Sequence, residues 1–152
     1  MLKLYTSKIV FAEVPGEISL GLSLTNCPFR CEECHSPWLQ EDIGDELTFE
    51  KMDELIEQNP GATCILFLGG EANPKSLAEM LRYVSSNHPN KKTAVYSGED
   101  MERKDISSIT DYYKFGSYQK DRGPLNSPTT NQIMFSKIDG DITYKFQEEK
   151  NL

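Results

Sequence analysis

Three of the chain's four cysteines fall inside the stretch "LTNCPFRCEECHSPW", residues 24–38, as Cys27, Cys31 and Cys34, with His35 directly after the last of them. Thiols so crowded in sequence constrain the chain around them, because short loop spacings bring several thiolates to one ion or cluster. Disulfide, zinc and iron–sulfur chemistry are the three possible uses. The preceding stretch "EISLGLSLTN", residues 17–26, is apolar and alternating, so it reads as a strand that runs straight into Cys27. The cysteine loop therefore begins at a strand end.

Context weakens the disulfide use. The segment "MLKLYTSKIVFAEVPGEISL" carries polar residues throughout and shows no secretory h-region. No run approaches the roughly 18 apolar residues of a membrane span. These features predict a cytoplasmic protein with reduced thiols. For zinc, His35 would complete a Cys3His set, but side chains adjacent in sequence rarely converge on one tetrahedral ion. The other candidate ligands, Cys64 and His88, fall in a predicted strand and at a predicted helix end. An iron–sulfur cluster suits soft thiolates better. Three thiolates hold three irons of a 4Fe–4S cluster and leave the fourth iron open, whereas a cluster used only for electron transfer normally has four protein ligands.

The remaining chain alternates strand and helix. "TFEKMDELIEQN" (48–59) has a capping threonine and apolar Phe49, Met52, Leu55 and Ile56 at helical spacing. "ATCILFLGG" (62–70) has the pattern of a buried parallel strand, and "PKSLAEMLRYVSSN" (74–87) that of an amphipathic helix opened by proline. "KTAVYSG" (92–98) predicts the next strand, "EDMERKDISSI" a poorly defined helix and "DYYKFGSY" (111–118) a further strand. "TNQIMFSKI" (130–138) and "DITYKF" (141–146) predict a terminal hairpin. This order predicts an α/β fold with a parallel sheet, in one domain spanning residues 1–152. Ligands of such sheets gather at the carboxyl ends of strands. Three predicted ends carry Cys27, "GGE" and "SG". A net charge of −8, from 24 acidic and 16 basic residues, repels phosphate backbones and argues against nucleic acid as a partner.

The spacing C-x3-C-x2-C after the first predicted strand resembles the signature of the radical S-adenosylmethionine enzymes, with Glu33 where the widest form of that motif has an aromatic residue. "LGGEAN" (68–73) is similar to that family's Gly-Gly-Glu motif. The length, the tolerance of a non-aromatic residue before the third cysteine, and the ending "TTNQIMF" resemble the anaerobic (class III) ribonucleoside-triphosphate reductase activating proteins. That resemblance implies a shortened (partial) parallel β/α barrel with a C-terminal loop and short terminal strands. It also implies a 4Fe–4S cluster on Cys27, Cys31 and Cys34, and S-adenosylmethionine held by Gly69, Gly70, Glu71, Ser97 and Lys114. The implied activity is that of an oxidoreductase. Reductive cleavage of the sulfonium gives a 5′-deoxyadenosyl radical, which takes an α-hydrogen from a glycine of the reductase. No catalytic side chain is implied beyond the cluster and cofactor. The implied partners are the reductase and a low-potential electron donor such as flavodoxin or ferredoxin, with no membrane.

Two other readings stay open from the residues: a radical enzyme acting on a small molecule, of the deazapurine-precursor type, and a zinc-binding interaction module. Cys64 is expected in the core, His88 at the surface, and Phe29 and Trp38 around the cluster. The Gly/Pro/Ser/Asn-rich stretch 114–132 is expected as a long loop shaping the substrate mouth.

Overall fold

The computed structural model describes residues 2–25, 43–70, 73–117 and 119–148. Strand β1 (Lys3–Val10) turns back antiparallel onto β2 (Ser19–Leu24). The two-residue β3 (Asp45–Glu46) pairs with the outer edge of β1. Helix α1 (Phe49–Gln58) then crosses to β4 (Cys64–Leu68), and α2 (Pro74–Asn87) crosses to β5 (Lys92–Tyr96). A single turn, α3 (Lys104–Ser107), precedes β6 (Tyr112–Phe115). The chain closes with β7 (Ile133–Ser136), β8 (Gly140–Asp141) and α4 (Tyr144–Glu148).

The strands form one eight-stranded sheet in the order β3-β1-β2-β4-β5-β6-β7-β8. Its centre, β2-β4-β5-β6, is parallel, and both flanks are antiparallel. The parallel centre follows from the crossovers, because a helix between two strands returns the chain to the same sheet edge. The start of α1 is fixed by Thr48, whose hydroxyl accepts from the Lys51 amide at 3.0 Å. Helix α2 starts with Asn73 as cap and Pro74 in its first turn.

The sequence expectation holds for both long helices and the central strands, and it is corrected at the two ends. Strand β1 is not among the expected strands: "KLYTSKIV" is half polar, and its pairing with β2 and β3 makes it a strand. The expected strand over 141–146 is limited to Asp141. The Asp141 carboxylate accepts from the Thr143 amide at 2.9 Å and bends the chain, after which Tyr144–Glu148 is helical. His88, expected at the surface, is half-buried and lies 2.7 Å from Asp53 Oδ1 through its Nε2. Tyr83 donates to the other Asp53 oxygen at 2.5 Å, tying α2 to α1.

Two apolar layers sandwich the sheet. On one face, Leu20, Leu22, Ile65, Phe67, Val95 and Tyr113 pack under α1 and α2. On the other, Leu66, Ala94 and Met134 pack against Val10, Val14, Leu125 and Ile142 from the β1–β2 turn and the C-terminal segments. No helix among the described residues is long and apolar enough to cross a membrane.

Candidate functional site

The carboxyl ends of β4, β5 and β6 lie side by side, because the three strands are adjacent and parallel. Beyond β4 come Gly69 and Gly70, with φ of 102° and 101°. Side chains rarely adopt that conformation, so only glycine lets the chain turn here without strain. The Gly69 amide donates to Tyr96 O at 3.1 Å and so extends the β4–β5 ladder by one bond. A Cβ on Gly70 would approach Leu24 Cδ1 and Leu77 Cδ2 to 3.2 Å. Gly70 is therefore buried and pressed against the core, while Gly69 beside it is partly exposed.

Beyond β5, Ser97 is 2% exposed. Its amide donates to Lys114 O at 2.7 Å, and its Oγ accepts from the Glu99 amide at 3.1 Å. The hydroxyl thus closes a serine turn. Lys114 is the register partner of Tyr96, so both side chains leave the sheet on the same face. The Lys114 ammonium sits 5.1 Å from the centre of the Tyr96 ring, a cation–π distance. Both line a cavity of about 250 Å³ with Glu13, Leu125, Gln132 and Phe146. The Tyr96 hydroxyl donates to Glu13 O. Burial, with the Glu13 carboxylate nearby, pushes the Tyr96 phenol above its ordinary range, so it stays a neutral donor.

The stretch 114–132 is expected as a long loop; Lys114 and Phe115 belong to β6, and the described residues from Gly116 to Gln132 form no helix or strand. The end of this stretch is fixed rather than loose. The Gln132 amide group donates to Gly116 O at 3.3 Å and the Asn131 amide group to Ser117 O at 3.0 Å. Asn131 Oδ1 is buried and meets no hydrogen-bond donor among the described residues. Sequence reasoning missed Tyr96 as a platform under Lys114. The signal was the alternation within β5 and β6, which puts the two on one face once their register is known.

Cys27, Cys31 and Cys34, together with Phe29, His35, Trp38 and Glu71, lie outside the described residues. The chain on either side of the cysteine stretch is joined at its base, where Thr25 Oγ1 donates to Ile43 O at 2.6 Å. Cys64, the remaining thiol, is fully buried in β4, and burial pushes it up to about 12. It is a core side chain held neutral, as expected, and no thiolate ligand. Among the described residues no group of three His, Cys, Asp or Glu side chains is placed to hold a metal ion. The three thiols of the loop, Cys27, Cys31 and Cys34, are a donor set whose chemistry fits a 4Fe–4S cluster.

A family model described as "4Fe-4S single cluster domain" matches residues 15–122 of the 152. The chain belongs to this 4Fe-4S single cluster domain family. The matched span contains the cysteine loop, both glycines, Ser97 and Lys114, and it ends before the Asn131–Gln132 segment. Membership is consistent with an iron–sulfur protein of the radical type. No curated protein and no solved structure matches the chain.

Proposed function

We propose that this 4Fe-4S single cluster protein is a radical S-adenosylmethionine enzyme, the activase of an anaerobic (class III) ribonucleoside-triphosphate reductase. The observation that carries the reading is one of juxtaposition. A three-thiol loop in a cluster-domain family leaves β2, and the neighbouring parallel strand ends in a glycine pair at positive φ. In the proposed site Cys27, Cys31 and Cys34 bind the cluster. Gly69 and Gly70 present backbone to the methionine part of the cofactor, and Glu71 receives its ammonium. Lys114, steadied over Tyr96, meets a carboxylate, and Ser97 offers its hydroxyl proton to an acceptor on the cofactor. When bound, cluster and cofactor together supply a carbon-centred radical able to take a hydrogen atom, so the chain needs no side-chain base.

The chain is proposed to act as a single domain, its four parallel strands forming a partial barrel that meets a protein loop at their carboxyl ends. The partner is then the reductase, with a low-potential flavodoxin or ferredoxin as electron source, in an anaerobic cytoplasm.

The test is anaerobic reconstitution with iron and sulfide, reduction with S-adenosylmethionine present, and assay of 5′-deoxyadenosine. Purified class III reductase is then added and its glycyl radical read by electron paramagnetic resonance. Wild-type protein is expected to form both products. Cys31→Ala is expected to lose cluster absorbance and cleavage to background while keeping its circular dichroism. Cleavage without a glycyl radical would point to a small-molecule substrate. A colourless zinc protein that leaves the cofactor intact would overturn the reading altogether.

A further inference from the structure

The loop after β5 and the turn after β6 are bolted together by one side chain. Asp100 Oδ1 accepts both from the Ser117 amide, at 3.0 Å, and from the Ser117 hydroxyl, at 2.6 Å. One residue earlier in each segment, the Gly116 amide donates to Glu99 O at 2.5 Å. The turn after β6 is in turn tied to the segment that leads into β7. Ser117 O accepts from Asn131 and Gly116 O from Gln132. Gly116 has φ of 109°, and a Cβ there would come within 2.9 Å of Gln132 Cα, so the crossing is tight backbone on backbone.

This clamp sits three residues beyond each of two proposed cofactor contacts: Ser97 precedes Asp100 by three positions, and Lys114 precedes Ser117 by three. The contacts are themselves linked, through the Ser97 amide and Lys114 O at 2.7 Å. Each strand exit is therefore held at two points, by the sheet ladder below and by Asp100 above. Strand exits are where a chain frays once its ladder ends. Positioning errors on the order of 1 Å at a site are enough to weaken what it holds.

We propose that Asp100 is a positioning residue: by clamping the turn after β6 to the loop after β5, it fixes Ser97 and Lys114 in the geometry that receives S-adenosylmethionine. This rests on the reading of the site given above. Among the described residues Asp100 bonds Ser117 in this network and acts on the cofactor through it. The carboxylate oxygen is the working atom. Asn at this position keeps an oxygen that accepts both bonds, whereas Ala keeps neither.

The experiment compares wild type, Asp100→Ala, Asp100→Asn and Ser117→Ala as cluster-loaded proteins. Hydrogen exchange without S-adenosylmethionine reads the amides of Gly116 and Ser117. Steady-state cleavage reads KM for S-adenosylmethionine against kcat. Asp100→Ala is expected to speed exchange at both amides and raise KM about fivefold, with kcat within about twofold. Asp100→Asn should restore most of both, and Ser117→Ala, which keeps the amide bond, should fall between. Unchanged KM in Asp100→Ala, or equal damage in Asp100→Ala and Asp100→Asn, overturns the positioning role. If wild type itself neither binds nor cleaves S-adenosylmethionine, the reading of the site falls and the positioning role with it. Faster exchange in Asp100→Ala would then mark a clamp that serves only the fold.

Discussion

The two faces of the sheet are made from the same strands and by different chemistry. Toward α1 and α2, the strands send Leu20, Leu22, Ile65, Phe67 and Val95, fully apolar and almost wholly buried. Toward the opposite face the register brings Ser19, Cys64, Tyr96, Tyr112 and Lys114. That face is closed by pieces of the β1–β2 turn and the C-terminal segments rather than by a long helix, and it keeps a cavity of about 250 Å³. Two of the polar side chains there are answered individually: Tyr112 donates to Glu17 at 3.1 Å, and Lys114 lies over Tyr96. The difference teaches a division of labour. One face supplies most of the burial that holds the fold, and the other carries Lys114 with the cavity beside it.

The largest effect should come from the apolar face. Phe67→Ala removes a fully buried ring and is expected to cost about 3–5 kcal/mol in chemical denaturation, leaving KM for S-adenosylmethionine of the folded protein unchanged. A loss below about 1 kcal/mol would break the division. Lys114→Met should do the reverse. We expect KM to rise about tenfold, equivalent to about 1.4 kcal/mol, with stability shifted by less than about 1 kcal/mol. A large stability loss there would make Lys114 a structural residue of the second core.

The smallest effect lies outside both faces, in the tie between α1 and α2. The hydrogen bond from Tyr83, and then that from His88, holds the Asp53 carboxyl below its ordinary value of 3.8. A folded-state pKa that is lowered gives stability present above the ordinary value and lost as pH falls through the lower one. The acid limb of the Tm–pH profile should therefore be shallower in Asp53→Asn than in wild type, with only a small difference at neutral pH. Parallel profiles would show that the tie contributes nothing beyond packing. His88 was expected as a plain surface residue because its partner lies on another helix, 35 positions away.

Much of the candidate site was legible for a similar reason of distance. Gly69, Gly70 and Ser97 stand at the ends of short apolar runs, and a run that ends in glycine or Ser-Gly declares its boundary locally. The Asp100–Ser117 clamp gave no such signal: aspartate and serine are common in loops, and only the parallel placement of β5 beside β6 brings them together. The helical end of the chain was hidden as well. "DITYKF" has the composition of a strand, and one Asx turn at Asp141 overrides it.

Sequence alone therefore determined what depends on spacing along the chain. It set three thiols in one short loop suited to an iron–sulfur centre, the order of the central strands and crossover helices, and the glycine pair at the end of β4. The tertiary structure decided what depends on register between strands. It set which side chains share a face, that Tyr96 lies under Lys114, that Cys64 is sealed in the core, and that Asp100 reaches Ser117. The physical reason is the period of two in a strand: a shift of one residue in pairing moves every side chain to the other face, and pairing is fixed by the packing of the whole sheet rather than by any segment of it.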